Sequence, residues 1–253
     1  MSEPLISVVI PAYNCAGVIG RAIDSALAQK VALEILVLDD GSSDGLEAVM
    51  AGYEGNEAVR FAKNEKNLGA AATRNRGVTL ARGKYVAFLD ADDYWTEDKL
   101  VRQLALIEQT GCVLCCTARE LMTPEGELTG KVIPVKEKIS YRELLKHNSI
   151  NCSSVLILTD VAREFPMHHD DSHEDYIMWL EVLRKYETAC GINEPMLKYR
   201  LSNSGKSGNK LHSAKMTFMV YRYMGFGVVK SMVCFCSYAI HGVYKHFLCG
   251  KMK

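Results

Sequence analysis

Lys84-Tyr-Val-Ala-Phe-Leu-Asp-Ala-Asp-Asp93 runs an apolar stretch directly into three carboxylates within four residues, and its reading decides the fold. Carboxylates this close repel one another unless they are solvated or neutralised, and a divalent cation that prefers oxygen ligands is the simplest neutraliser. In open α/β sheets, ligands gather at the carboxyl ends of the strands. A polar turn ahead of a helix capped by Thr96 would use the same letters, so the neighbouring segments have to decide between the two.

Working outward, Leu5-Ile-Ser-Val-Val-Ile10 and Leu33-Glu-Ile-Leu-Val-Leu38 are short, continuous, β-branched runs of the kind that form strands buried on both faces. Between them, from Asn14 onward, Val18, Ile19, Ala22, Ile23, Ala26 and Leu27 recur at helical spacing. Val59 to Ala62 predicts a third strand, Ala70 to Ala81 a helix closed by Gly83, and Lys84 to Leu89 another strand. Alternation of this kind predicts an α/β fold: a Rossmann-like, mostly parallel sheet with helices on both faces. Beyond Gly111 the pattern loosens. Thr123-Pro-Glu-Gly-Glu127 predicts a hairpin turn, Ser153 to Leu158 a strand, and Glu174 to Tyr186 a helix burying Ile177, Leu180 and Leu183.

Three further polar clusters fall at strand ends or lead into them: Pro11-Ala-Tyr-Asn14, Asp39-Asp-Gly-Ser-Ser-Asp44, and Gly69 to Gly77 with Arg74 and Arg76. Together with the acidic cluster they describe a pocket of backbone ends, carboxylates and guanidinium groups, which suits a nucleotide diphosphate with a metal. A dinucleotide fingerprint is missing, because Pro11 to Gly17 reads PAYNCAG and holds no GxGxxG; no GxxxxGK[ST] loop occurs either.

Taken in order, Ser7 to Asn14, Val37 to Asp44, Asn67-Leu-Gly with Arg74-Asn, and Gly83 to Trp95 resemble the family 2 glycosyltransferases of GT-A fold, and in particular those of bacterial surface-polysaccharide synthesis. The match covers residues 5 to 110 closely and extends to about residue 205 through Glu174-Asp175 and Tyr199-Arg200. It implies inverting transfer of a sugar from a nucleotide-diphosphate donor, most often a UDP-sugar, with Mn2+ or Mg2+. By motif, Asp40 would contact the nucleobase, Arg74 would support the nucleotide, and Asp90 and Asp92 would form the DxD pair at ribose and metal. Asp93 shares or takes over the metal role in some members. The donor site would then comprise Pro11, Ala12, Tyr13, Asn14, Asp40, Arg74, Asp90, Ala91 and Arg200, with Asp92 and Asp93 at the metal. The resemblance gives the proton-accepting role to Asp175, which would lie in the first turn of its helix, facing the cleft. The loop His168, His169, Asp170, Asp171 and His173 matches no metal spacing and reads as a polar loop.

Arg200 opens a Gly/Ser-rich stretch to Lys210 that carries Lys206 and suits a mobile lid with phosphate-seeking side chains, or a plain linker. Many family members place a histidine shortly after the Tyr-Arg pair, where this chain has Ser202 and Asn203.

Charge patterning adds the last piece. Net charge is zero over 253 residues, yet Glu194 is the last acid, and residues 195 to 253 hold ten Lys or Arg. Ser231 to Tyr244 then runs 14 residues without a formal charge. That is shorter than the roughly 20 a bilayer span needs, so the segment predicts an interfacial helix on an anionic membrane, or else a helix packed on the domain or an oligomer contact. The N-terminus shows no basic-then-apolar leader, which predicts a cytoplasmic protein at the inner face of the plasma membrane. The nine scattered cysteines suit reduced thiols, with Cys112, Cys115 and Cys116 buried in a strand. The expected organisation is a nucleotide-sugar half (1–110), an acceptor half of the same domain (111–205), and a lid with a basic, apolar tail (206–253). The resemblance implies a glycan or glycolipid acceptor and, with the tail, a lipid-diphosphate-linked oligosaccharide, with no nucleic acid partner. Two other classes share such a pocket: a nucleotidyltransferase, and a non-catalytic nucleotide-sugar-binding adaptor.

Overall fold

The computed structural model describes residues 4–201 and 210–249, with the side chains of 210, 211 and 242–249 left aside. The expected lid therefore falls largely outside the described residues.

The first half builds β1 (Ile6–Ala12), α1 (Ile19–Leu27), β2 (Leu33–Asp39), α2 (Leu46–Ala51), β3 (Val59–Lys63), α3 (Ala70–Leu80) and β4 (Tyr85–Phe88). β3, β2, β1 and β4 lie side by side in parallel. In register, Ala12 stands opposite Asp39 and Asp39 opposite Lys63, so all these strands stop along one edge. The β-branched runs are buried on both faces because alternate residues serve different cores. Val9, Leu36, Leu38, Val86 and Phe88 pack on one side with Ala71 and Val78 of α3, while Val8, Ile10, Ile35, Val37 and Ala87 face Ile19, Ile23 and Ala26 of α1. Helix α3 approaches β1 closely at Gly77, where an added Cβ would stand 2.4 Å from a methyl of Val9.

The second half departs from simple alternation. It contains β5 (Tyr94–Trp95), α4 (Lys99–Thr110), β6 (Leu114–Met122), β7 (Leu128–Ile133), β8 (Lys138–Ser140), α5 (Tyr141–Leu144), β9 (Leu156–Leu158), α6 (Thr159–Glu164), α7 (Glu174–Tyr186), β10 (Thr188–Arg200), α8 (Lys210–Tyr223) and α9 (Val228–Cys249). The sheet continues β4-β9-β6-β10-β5, with β7 beside β6 and β8 beside β10. Here β9 runs antiparallel to both neighbours, and among the described residues of this half only β6 with β10 pairs in parallel. One sheet thus runs unbroken past residue 110, parallel through β3-β2-β1-β4 and mixed beyond it.

Several local expectations change. Thr96 does not cap α4: the helix starts at Lys99, and the Thr96 amide instead donates to the Met196 carbonyl as β5 pairs with β10. Gly83 does not close α3, which ends in the extended Ala81; Gly83 lies against the backbone of Ile6 and Ser7. Helix α1 begins at Ile19, because Asn14 adopts a left-handed φ of 47° and the chain turns there. Only Leu156–Leu158 of the stretch from Ser153 is strand, after a short 3-10 turn at Cys152–Ser154. The Thr123–Glu127 turn joins antiparallel β6 and β7, and α7 spans Glu174–Tyr186. Cys115 and Cys116 are buried free thiols in β6, while Cys112 precedes the strand and is partly exposed.

Candidate functional site

At the edge where the parallel strands stop lies a cleft of about 670 Å³. Its lining includes Pro11, Ala12, Tyr13, Asn14, Asp40, Arg74, Asp90, Ala91, Asp92 and Arg200, together with Cys15, Val18, Asn67, Gly69, Ala70 and Thr73. The nine residues expected around a donor nucleotide thus share one cavity with Asp92. Its size falls within the range of pockets that take small molecules and cofactors.

The loops forming the rim are laced together. Asn14 accepts from the Ser43 amide through its side-chain oxygen (2.9 Å), and its own amide donates to Ser42 Oγ (3.0 Å). The Ala16 amide donates to Asp44 (2.7 Å), and Asp39 accepts from the Ser42 amide (2.8 Å). Asp40 is buried and its carboxylate is engaged: it accepts from Asn64 Nδ2 (2.7 Å) and from the amides of Leu68 (2.8 Å) and Gly69 (2.9 Å). In this arrangement Asp40 shapes the loop that delivers Asn67 and the start of α3 to the cleft. Gly69, at a φ of 86°, enters that helix where a side chain would meet the Asp170 carboxylate at 2.4 Å.

Arg74 is the hub. Its guanidinium is buried and donates from Nη2 to Asp90 Oδ1 (2.6 Å) and from Nη1 to Glu174 Oε1 (3.0 Å). Its Nε has no hydrogen-bond partner among the described residues. One arginine therefore ties the acidic end of β4 to the first turn of α7, which carries Asp175. Arg76 takes no part in the lining; it reaches Asn64 Oδ1 and the Lys63 carbonyl.

The acidic residues differ in environment. Burial, reinforced by the negative charge of Asp90, raises the Asp92 pKa above the ordinary carboxylate value. Asp93 is more deeply buried and is raised further, first by desolvation and then by Asp90 and Asp92. It does not reach the cleft lining: Oδ1 accepts from the Arg200 amide (2.8 Å), and Oδ2 lacks a partner among the described residues. Arg200 wraps this loop, donating from Nε to the Asp92 carbonyl (3.1 Å) and from Nη1 to the Pro124 carbonyl (2.8 Å). Asp175 stands outside the lining as well, in the first turn of α7, where Oδ1 accepts the Tyr176 amide (2.7 Å). Desolvation first, and the neighbouring Glu174 charge second, push its pKa up to about 7, against the lowering effect of Arg74. A carboxylate poised there can accept a proton near neutral pH.

Ser153 and Gln103 matter here without a sequence motif of their own, and Trp95 closes the Gly83–Trp95 motif with no role read for it from the sequence. Ser153 is fully buried, and its Oγ accepts the Asp90 amide (3.1 Å). Trp95 Nε1 donates to the Ser153 carbonyl (2.7 Å), and Gln103 Nε2 to that of Ser154 (2.9 Å), fixing the turn behind the acids. A paired serine such as Ser153-Ser154 carries no local sign of this role. The histidine-rich loop has structural partners: His169 stacks on Tyr223 at 3.6 Å, Tyr223 donates to Asp171 (2.7 Å), and Asp170 accepts the Ala71 amide (3.1 Å).

Comparison with known proteins shows the family and the fold. A family model described as glycosyl transferase family 2 matches residues 7–160. A putative teichuronic acid biosynthesis glycosyltransferase, TuaG of Bacillus subtilis, is 36% identical over 246 residues, covering 96% of this chain and 98% of that protein. The Escherichia coli UDP-Glc:alpha-D-GlcNAc-diphosphoundecaprenol beta-1,3-glucosyltransferase WfaP is 31% identical, covering 96% and 95%. Among solved structures, S. aureus TarS residues 1–349 in complex with UDP-GlcNAc superposes with a TM-score of 0.72 at 15% identity, covering 96% of this chain and 72% of that one, which shows the shared fold. Four ordered motifs converging on one strand-end cleft, and relatives matched along nearly their whole length, lead to the same conclusion: this chain belongs to glycosyl transferase family 2.

Proposed function

We propose that this protein transfers a hexose-type sugar, with inversion, from a UDP-sugar to a hydroxyl of a lipid-diphosphate-linked glycan, in the synthesis of a bacterial surface polysaccharide such as O-antigen or capsule. One observation carries the reading: Arg74 joins Asp90, at the donor cleft, to Glu174, beside a carboxylate whose pKa is raised to about 7. The full-length similarity to an enzyme named for a UDP-Glc donor, a diphosphoundecaprenol-linked acceptor and a beta linkage supports the substrate classes.

In this mechanism the donor nucleotide occupies the cleft, against the Pro11–Asn14 loop and the loop held by Asp40. The acceptor hydroxyl attacks the anomeric carbon from the face opposite the diphosphate. A carbon–oxygen bond to the acceptor forms, the bond to the phosphate oxygen breaks, and UDP leaves with that electron pair. Asp175 takes the hydroxyl proton. Glu174 and Arg74 hold the first turn of α7 in register with the acidic loop, and the Asp175 charge is disfavoured until the proton arrives, which suits a general base.

The residues fit a divalent cation. Asp92 presents a carboxylate to the cleft beside the repelling Asp90, and Asp93 has a buried oxygen without a hydrogen-bond partner among the described residues. No group of three or more His, Cys, Asp or Glu that could hold a metal occurs among the described residues, so Mn2+ or Mg2+ would draw on Asp92, or Asp92 with Asp93, and on donor phosphate oxygens. When bound, such an ion offsets the charge that develops on the departing diphosphate.

The test is a panel of UDP-sugars incubated with Mn2+ and a synthetic lipid-diphosphate-GlcNAc acceptor. UDP release, coupled to a product whose new linkage is of opposite anomeric configuration to the donor, is expected. Release of pyrophosphate instead would indicate nucleotidyl transfer. Nucleotide-sugar binding without turnover on any acceptor would indicate an adaptor.

A further inference from the structure

Helix α9 carries its apolar side outward. Val229 (79% exposed), Met232 (49%), Val233 (63%) and Ile240 (67%) recur at i, i+3, i+4 and i+11, with Cys236 exposed between them. These positions fall on one stripe of the helix, and no charged residue interrupts it. The inner side is used up. Ser231 is fully buried, Phe235 meets Phe218 of α8 at 6.3 Å between ring centroids, and Tyr238 contacts His147 at 5.1 Å and Tyr176 at 6.1 Å. A helix whose solvent side is the apolar one marks a surface that meets another apolar phase.

We infer that this stripe is a membrane-docking face, laying α9 in the plane of an anionic lipid surface. Charge selects the occupant. Residues 195–253 hold ten Lys or Arg and no acid; with Lys198 paired to Glu120 and Arg200 at the cleft, the remaining cations include the exposed Arg222 and Lys230, the latter next to Val229 at the edge of the stripe. A second copy docked stripe to stripe would bring two such segments together at the cost of mutual repulsion, whereas acidic headgroups complement them. An in-plane posture follows because no described helix is long and apolar enough to cross a membrane.

The same helix reaches the reaction side. Tyr238, on its inner face, packs against Tyr176, the neighbour of Asp175, and the Asp175 charge contributes to raising the Tyr238 pKa after burial. Docking by α9 would therefore set the acceptor side of the enzyme against the lipid surface. This extends the transfer reading by naming where a lipid-borne acceptor is met, while the docking itself rests on the stripe and the charge alone.

The experiment is flotation of the full chain with vesicles of phosphatidylglycerol and phosphatidylcholine, compared with phosphatidylcholine alone, at low and high salt. The native protein is expected to float with the anionic vesicles and to release as salt rises. The double variant Val229→Glu/Val233→Glu, altered only at exposed positions, should lose at least about tenfold in partitioning. Calorimetric binding of UDP should be unchanged in that variant, which separates this inference from the donor-site reading. The inference is overturned if the native chain ignores anionic vesicles, if the variant partitions equally well, or if the stripe instead mediates a dimer that the variant dissociates without any vesicle binding.

Discussion

In the proposed mechanism Asp175 carries the chemistry at the residue scale. Its pKa, raised to about 7 by burial and by Glu174, predicts that kcat/KM falls about tenfold per pH unit below 7 and levels off above it, because only the carboxylate accepts the acceptor proton. A rate-versus-pH profile checks this, and a flat profile between pH 5.5 and 8 would contradict it. Asp175→Asn should lower kcat by about 10²–10⁴ while UDP-sugar affinity stays near native, as measured by turnover and calorimetry in parallel. Asp92→Ala should cost at least about a hundredfold in transfer with the fold intact by circular dichroism. Ser153 tests the support behind the acids. Ser153→Ala strands the buried Asp90 amide, so a loss of about 1–3 kcal/mol in stability is expected by denaturant titration.

Legibility in the sequence differed sharply from element to element, for physical reasons. β1, β2, β4 and α7 were readable because each writes its environment locally: strands buried on both faces are continuous apolar runs, and α7 repeats apolar residues at helical spacing; β3, a half-buried edge strand, was readable from its alternating Val59, Phe61 and its place in the strand–helix alternation. β10 was not, because Asn193-Glu-Pro195 interrupts it; the structure absorbs Pro195 with register shifts on either side. The antiparallel insertion of β9 between β4 and β6 is a long-range pairing that no local pattern encodes. The carboxylates, Arg74 and Asn14 stood out as polar clusters at the ends of strands or on the helix leading into one. Ser153 and Gln103 did not, and Trp95 stood out only as the end of its motif, since their shared role arises only when the turn after residue 151 folds behind the acidic loop. The close seat of α3 on β1 yields one element-scale prediction. Gly77→Ala should destabilise by about 1–3 kcal/mol, read as a lower thermal midpoint, because its methyl would overlap Val9 and Leu38.

For the whole molecule, a parallel half-sheet sets the cleft loops along one edge, β10 of the mixed half brings Arg200 to the same opening, and Arg74 ties the acidic loop there to the first turn of α7 beside it. The central claim is that this opening grips the diphosphate of an activated sugar together with a cation. Titration calorimetry of UDP into the native protein and into Asp92→Ala, with and without Mn2+, tests it most directly. Binding that strengthens with Mn2+ in the native protein and loses at least about tenfold of that gain in the variant is the predicted result. No UDP binding under any cation, or cation-enhanced binding that survives the loss of Asp92 and of Asp93 alike, would contradict it.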